Sequence, residues 1–282
     1  MEITNFFIYK LKKAGLSNQE VINVLSYVEI QAKEVSVRNM AIVSKCRNPA
    51  LFIERYKNQN DELLKEEFEK FPSFSIMDDV YPWDLSEIYN PPVLLFYQGN
   101  LDLLNLPKLA VVGSRDCSQD GAQAVKKIIT ELQNEIVIVS GLAKGIDTAA
   151  HMAALQNGGR TIAVIGTGLD VYYPKANKKL QKYIGENHLV LSEYGPGEQP
   201  LKFHFPERNR IIAGLSRGVV VAEAKMRSGS LITCERAMEE GRDVFAIPGS
   251  IITGKSDGCH HLIQEGAKCI TSGSDVLLEF QF

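Results

Sequence analysis

The sequence predicts an α/β chain in which a doubly wound, mostly parallel, Rossmann-like sheet follows a small all-helical domain. Three observations predict it. From Lys108 onward, strand-length apolar runs alternate with helical patterns, the order that builds βαβ units. Those runs, such as Ile136-Val-Ile-Val139 and Gly218-Val-Val-Val-Ala222, are apolar almost throughout, as strands covered on both faces must be. Two of them end in small-residue turns that open helices: Leu109-Ala-Val-Val-Gly113-Ser114-Arg115 and Ile136-Val-Ile-Val-Ser140-Gly141-Leu-Ala-Lys144-Gly145-Ile-Asp147.

Residues 1–75 read as helices. Asn5 to Lys13 carries apolar residues at helical spacing and stops at Gly15. Ser17-Asn-Gln-Glu20 is a capping box, and Val21, Val24, Leu25 and Val28 follow on one face. Val37 to Cys46 continues the pattern, and Asn48 with Pro49 opens a helix that runs to Tyr56. Asp61 to Phe71 is charged, with a stripe of Leu64, Phe68 and Phe71. Residues 76–106 read as a connecting segment. Tyr81-Pro82-Trp83, Asn90-Pro91-Pro92 and Leu106-Pro107 break any long element there, leaving one strand at Val93 to Tyr97. Residues 107–282 hold the sheet, with strands near 109–113, 135–140, 161–166, 188–192, 218–223, 243–247 and 267–270. Between them lie helices such as Gln119–Gln133, Asp147–Gln156 and Leu231–Glu240.

Composition narrows the class. A 282-residue chain that is 45% hydrophobic has room for a large core and a small companion domain. No apolar run approaches the ~20 residues of a membrane helix, and Met1-Glu-Ile-Thr-Asn5 lacks a basic leader, so a cytoplasmic protein is expected. The five cysteines (Cys46, Cys117, Cys234, Cys259, Cys269) are scattered and never spaced as C-x-x-C, which fits reduced thiols. A formal net charge of −3 means that any nucleic-acid binding must come from a local patch.

In an open parallel sheet, ligands bind at the carboxyl ends of the strands. The glycine turns fall on that edge. Glycine lets a backbone approach a phosphate, a helix N-terminus favours an anion, and Arg115 and Lys144 add cations. The dinucleotide fingerprint G-x-G-x-x-G is absent, since Gly113 is followed by Ser114-Arg115-Asp116 and Gly166-Thr-Gly168 has no third glycine. No Walker-type G-x-x-x-x-G-K-[ST] occurs either. Asp147 and His151, four apart, can meet on one helix, and a buried pair pinning that helix is the favoured reading over general-base chemistry. Cys259-His260-His261 are adjacent, which is not metal-ligand spacing, so no cofactor is expected. Cations recur at Lys175, at Lys178, Lys179 and Lys182 on a helix that reads as a solvated face, and in Lys202-Phe203-His204-Phe205-Pro206-Glu207-Arg208-Asn209-Arg210. Cations for phosphates interleaved with rings for bases are what a single-strand groove requires. Arg208 and Arg210 equally fit ion pairs with Glu207 or Glu223. With the standard strand order, Arg115, Lys144, Lys175, Arg208 and Arg210 would ring one crevice.

Further ordered blocks run over residues 80–270: Pro91-Pro92-Val-Leu with Gly99, Val112-Gly-Ser-Arg115, Ser140-Gly-Leu-Ala-Lys-Gly-Ile-Asp147 with Ala150-His151, and Gly159-Arg-Thr-Ile-Ala-Val164. Tyr173-Pro174 with Asn177, Ser192-Glu193, Phe205-Pro-Glu-Arg-Asn-Arg210-Ile-Ile-Ala-Gly-Leu215, Ser228-Gly-Ser-Leu-Ile-Thr233 and Pro248-Gly249 complete them. Together these blocks resemble the DprA (Smf) family of DNA-processing proteins of natural transformation. The resemblance implies an extended Rossmann-like domain that binds single-stranded DNA, a SAM-like helical domain in front of it, a homodimer, and loading of the RecA recombinase without catalysis. It carries the pocket role onto Gly113, Ser114, Arg115, Ser140, Gly141, Lys175, Arg208, Asn209 and Arg210, of which Asn209 rests on the resemblance alone. Cys234 stands where the family usually has alanine, and His260 where asparagine is common. Relatives often carry a C-terminal winged helix, for which the residues after the last expected strand leave no room. The stretch Gly254 to Ala267, expected beside a sheet edge, is the expected dimer surface. The rival reading is a Rossmann-like nucleoside-monophosphate phosphoribohydrolase, with Glu235 of Ser228-Gly-Ser-Leu-Ile-Thr-Cys-Glu235 and Arg115 on a ribose phosphate.

Overall fold

The computed structural model describes residues 3–30, 35–132 and 134–280. The chain opens with α1 (Asn5–Lys13), α2 (Asn18–Ile30), α3 (Val37–Val43), α4 (Pro49–Lys57) and α5 (Asp61–Phe68). Their starts are written locally. The Ser17 N–H donates to the Glu20 carboxylate at 2.7 Å, and Asn48 accepts from the Leu51 N–H ahead of Pro49. Then follow β1 (Ser73–Ser75), α6 (Trp83–Ser86) and β2 (Leu94–Gly99). The alternating part comprises β3 (Lys108–Gly113), α7 (Gln119–Glu131), β4 (Val137–Ser140), α8 (Ile146–Gln156) and β5 (Thr161–Ile165). It continues with α9 (Lys178–Asn187), β6 (Leu189–Ser192), α10 (His204–Leu215), β7 (Gly218–Ala222) and α11 (Gly229–Glu239). It closes with β8 (Asp243–Ala246), α12 (Asp257–Gln264), β9 (Lys268–Cys269) and α13 (Gly273–Glu279). The expected strands are all present, but Ser73–Ser75, within the stretch expected to be helical, is the strand β1 that pairs with β2, and Gln133, expected to end α7, lies outside the described residues.

All nine strands among the described residues form one sheet in the order β1-β2-β6-β5-β4-β3-β7-β8-β9. β1 and β2 pair antiparallel, as do β2 and β6, and every other pairing is parallel. The order reverses at β3, which has β4 on one side and β7 on the other. Helices on the two sides therefore diverge there and leave a crevice past the strand ends. The strand expected in the connecting segment does more than connect. β2 runs Leu94–Gly99 and is stitched into the sheet at Phe96 opposite Ser192.

Alternate side chains of each strand serve opposite layers. Leu109 and Val111 pack with α7 and α8, while Ala110 and Val112 pack with α10 and α11. The helical domain is not a free appendage. Ile8, Leu11, Val24 and Phe52 share one core with Phe96, Ala163, Ile165 and Val190 of the sheet. Phe96 is clamped edge-on by Tyr9 and Phe68, with centroids at 5.5 and 5.7 Å. Burying that ring contributes about 1.5–3 kcal/mol. Among the described residues, no helix is long and apolar enough to cross a membrane.

Candidate functional site

The crevice at β3 holds a recess of about 640 Å³. Its floor is the end of β3, Val112-Gly113-Ser114-Arg115, and its walls are Ala143 and Asp147 by α8, Phe205, Arg208 and Asn209 of α10, and Ser228, Gly229 and Ser230 at α11. A chamber of about 200 Å³ adjoins it, sharing Arg115, Phe205 and Arg208 and adding Gly141, Lys144, Gly166, Thr167 and Pro174. Such clefts, with convergent polar groups over an apolar lining, are where small ligands and ligand segments bind.

The turn after β3 is fastened at both ends. The Ser114 N–H donates to the Glu223 carbonyl at 2.9 Å, and the Ser114 carbonyl accepts from the Ile146 N–H at 3.0 Å. That close approach needs Gly145, whose φ is +76° and where a Cβ would sit 2.1 Å from the Ser114 oxygen. The fastening leaves Arg115 exposed, with its guanidinium carbon 5.3 Å from the centre of the Phe205 ring. Phe205 in turn lies 5.3 Å from Tyr173 at an interplanar angle of 37°. A cation and two rings thus face the same chamber.

Arg208 is buried beneath them, 4% exposed. Its Nη1 donates to the carbonyls of Gly141 and Val164, and its Nε donates to Asn209 Oδ1 at 3.2 Å. Burial pushes its pKa down to about 10, which leaves it charged at neutral pH. Asp147 faces the same charge. Burial raises its pKa above the ordinary carboxylate range, against the pull of Arg208 and of the Ala143 and Gly141 N–H groups. The carbonyls leave the guanidinium charge in place, and Asp147 offsets part of it.

The N-termini of α7 and α11 both lie at this edge, and they differ. The N-terminus of α7 is closed from within, because the Ser118 N–H and hydroxyl both donate to the Glu223 carboxylate and the Ser118 hydroxyl oxygen accepts from Gly121. The N-terminus of α11 has no side-chain cap, and the buried Ser228 hydroxyl has no partner among the described residues. Of these two, the end open to the recess is that of α11 and not that of the first glycine turn.

Of the residues singled out in the sequence, Gly113, Ser114, Arg115, Gly141, Lys144, Arg208 and Asn209 line the recess or its chamber. Three do not. Ser140 is fully buried and donates its hydroxyl to the Val111 carbonyl at 2.6 Å, tying β4 to β3. Lys175 is exposed in the short turn after Pro174 and lines neither cavity. Arg210 points away from the crevice and pairs with Glu193 at 2.6 Å, not with Glu207 or Glu223. The expected ring of five cations is thus Arg115, Lys144 and Arg208, joined by Lys202 and Lys225. Asp147 and His151 do not bond to each other: Asp147 accepts from Ala143 and His151 Nδ1 pairs with Thr161 Oγ1. Glu235 is exposed and lines neither cavity, and no group of three metal-binding side chains occurs among the described residues. Sequence reasoning missed Lys225, Ser228, Ser230 and Thr233 as recess residues. The small-residue start of α11 was the available signal.

Comparison with known proteins agrees with this architecture. A family model described as DNA recombination-mediator protein A matches residues 73–281, and one described as DNA processing protein A sterile alpha motif domain matches residues 3–64. The DNA processing protein DprA of Streptococcus pneumoniae is 75% identical over 282 residues, the whole of both chains, and its X-ray structure aligns with a TM-score of 0.97. That of Bacillus subtilis is 46% identical over 201 residues, 71% of this chain and 68% of its own length. The Helicobacter pylori DNA processing protein A, whose structure addresses its single-stranded DNA binding mode, aligns at 31% identity with a TM-score of 0.67. That alignment covers 75% of this chain and 96% of the other. Read with the nine-strand sheet and its helical forerunner, these matches make the chain a member of the DprA (Smf) family of DNA processing proteins, with a sterile-alpha-motif-like domain ahead of a Rossmann-like one.

Proposed function

We propose that this chain binds single-stranded DNA in the recess at β3, protects incoming strands during transformation, and loads the RecA recombinase on them without catalysing a reaction. The observation that carries the binding reading is the coincidence of a carbonyl-held Arg208 with exposed Arg115 and a Tyr173–Phe205 ring pair in one cleft. Cations take phosphates, rings take bases, and neither demands a particular sequence. The open end of α11 takes a further phosphate. The single-stranded DNA binding of the Helicobacter pylori relative supports the same ligand. Among the described residues Asp147 is the one carboxylate lining the recess, and it is held by the Ala143 N–H, which supports binding rather than hydrolysis.

The protein works in the cytoplasm as a homodimer. Among the described residues β9 is an edge strand of two residues paired with β8 alone, and a second copy would cover that edge. Two recesses on one strand then give avidity. A monomer by sedimentation at micromolar concentration would overturn the dimer.

Anisotropy of labelled oligo-dT against matched duplex, over a salt series, tests the binding. Single strand is bound preferentially and less tightly as salt rises, and Arg115→Ala with Lys225→Ala weakens it by about ten-fold or more. Intact binding by that variant overturns the recess as the site.

A further inference from the structure

α10 has two working faces. Arg208 and Asn209 face the recess, whereas Arg210 faces a second cavity, of about 310 Å³, between the helical domain and the sheet. Two residues advance a helix by about 200°, so one rigid rod presents both side chains on opposite sides.

At the second cavity a continuous chain of bonds runs from the helical domain into α10. Lys12 Nζ donates to Asn18 Oδ1 at 2.7 Å, and Asn18 Nδ2 donates to Glu193 Oε1 at 2.8 Å. Arg210 Nη2 then donates to both Glu193 oxygens, at 2.7 and 2.6 Å. Arg210 is 9% exposed, and its Nε and Nη1 are buried with no partner among the described residues. Glu193 is therefore the group that holds the Arg210 guanidinium, and Asn18 holds Glu193. A second limb starts one residue on. Tyr194 stacks on His204 at 3.8 Å and 24°, and His204 Nδ1 pairs with the carbonyl of Gly166, which lines the small chamber. Burial pulls the Lys12 ammonium below its ordinary range, as befits a group enclosed at a junction rather than one at a wet surface.

We propose that the helical domain sets the geometry of the DNA recess through the relay Asn18–Glu193–Arg210, with Arg210 as a positioning residue that fixes the rotation of α10 and hence the aim of Arg208 and Asn209. The proposal rests on the recess being the single-strand site. No residue of the relay lines that recess, so an effect on binding reaches it through the elements the relay holds, α10 first among them. Coupling of this kind is reciprocal: a strand that tightens α10 also tightens the helical domain on the sheet.

The test uses the full chain. Asn18→Leu and Glu193→Gln are each measured for oligo-dT affinity per folded molecule, with circular dichroism confirming the fold. Hydrogen exchange is followed in the wild type with and without saturating oligo-dT. Each variant loses about ten-fold in affinity, and oligo-dT slows amide exchange at residues 12–20 as well as at the recess. Affinities within about two-fold of wild type overturn the proposal, whatever happens to thermal stability. So does exchange protection confined to the recess, a result that needs no variant to fold. Wild-type protein that ignores oligo-dT overturns the binding reading and the relay together, whereas tight wild-type binding with unaffected variants overturns the relay alone.

Discussion

Arg208 and Arg210 lie two residues apart on one helix, both buried, and are held by opposite means. Arg208 rests on the carbonyls of Gly141 and Val164, whose dipoles leave its charge in place. Arg210 rests on the carboxylate of Glu193, which neutralises it. The first arrangement aims positive potential into a recess that holds Arg115 and Phe205. The second makes a joint, in which charge is spent on fixing one element against another. What a buried arginine does is decided by its partner, not by its burial.

The largest effect separates the two most sharply. Glu193→Ala leaves Arg210 buried without a counterion and destabilises the fold by about 3–5 kcal/mol, read as a drop in Tm. Replacing both residues by methionine restores most of that loss. A single change costing under about 1 kcal/mol would mean that Arg210 draws on other partners. On the other side, Gly141→Ala puts a Cβ 2.3 Å from Arg208 Nη2, an arginine whose other contacts prevent it from yielding. About 1–3 kcal/mol of stability is lost, and oligo-dT affinity falls with it.

The charge of Arg208 is also felt by His151. Burial first, then Arg208, pushes that imidazole down to about 3. Between pH 6.5 and 3 the unfolded chain binds a proton that the folded chain refuses, so this group removes stability as pH falls through that window. The slope is about 1.4 kcal/mol per pH unit. Urea midpoints measured from pH 7 to 4 should decline less in His151→Gln than in wild type, and equal declines would show that His151 titrates normally. Smallest in stability is Arg115→Ala. It changes ΔG by under about 0.5 kcal/mol because the side chain is exposed. Yet it lowers the slope of log K against log salt by about 0.7, one phosphate contact on a single strand.

Much of the fold was legible because its signals are local. Ser17 with Glu20, Asn48 with Pro49, and Gly15 after α1 set helix ends from within a turn of chain. The apolar runs at β3, β4, β5 and β7 name buried parallel strands because such strands have no wet face. At the site, Gly113-Ser114-Arg115 and Gly141 were legible for the same reason: a turn at a strand end has one edge to face. Less legible was β2. Its Pro-rich flanks read as a connector, and only its pairing with β6 about a hundred residues later makes it part of the sheet.

Sequence alone determined that this chain would form a doubly wound sheet behind a helical domain, and that glycines and cations would gather at one edge. Tertiary structure decided which cations serve the recess. Arg208 meets its carbonyls 67 and 44 residues away, and Arg210 meets its carboxylate 17 residues away. Lys175 and Ser140, singled out with them, were left outside the recess. The helix end that Glu223 closes was likewise indistinguishable in sequence from the one that stays open at α11. Propensity and capping act within a few residues along the chain, whereas the partner that neutralises a charge or occupies a helix end is chosen by packing between elements.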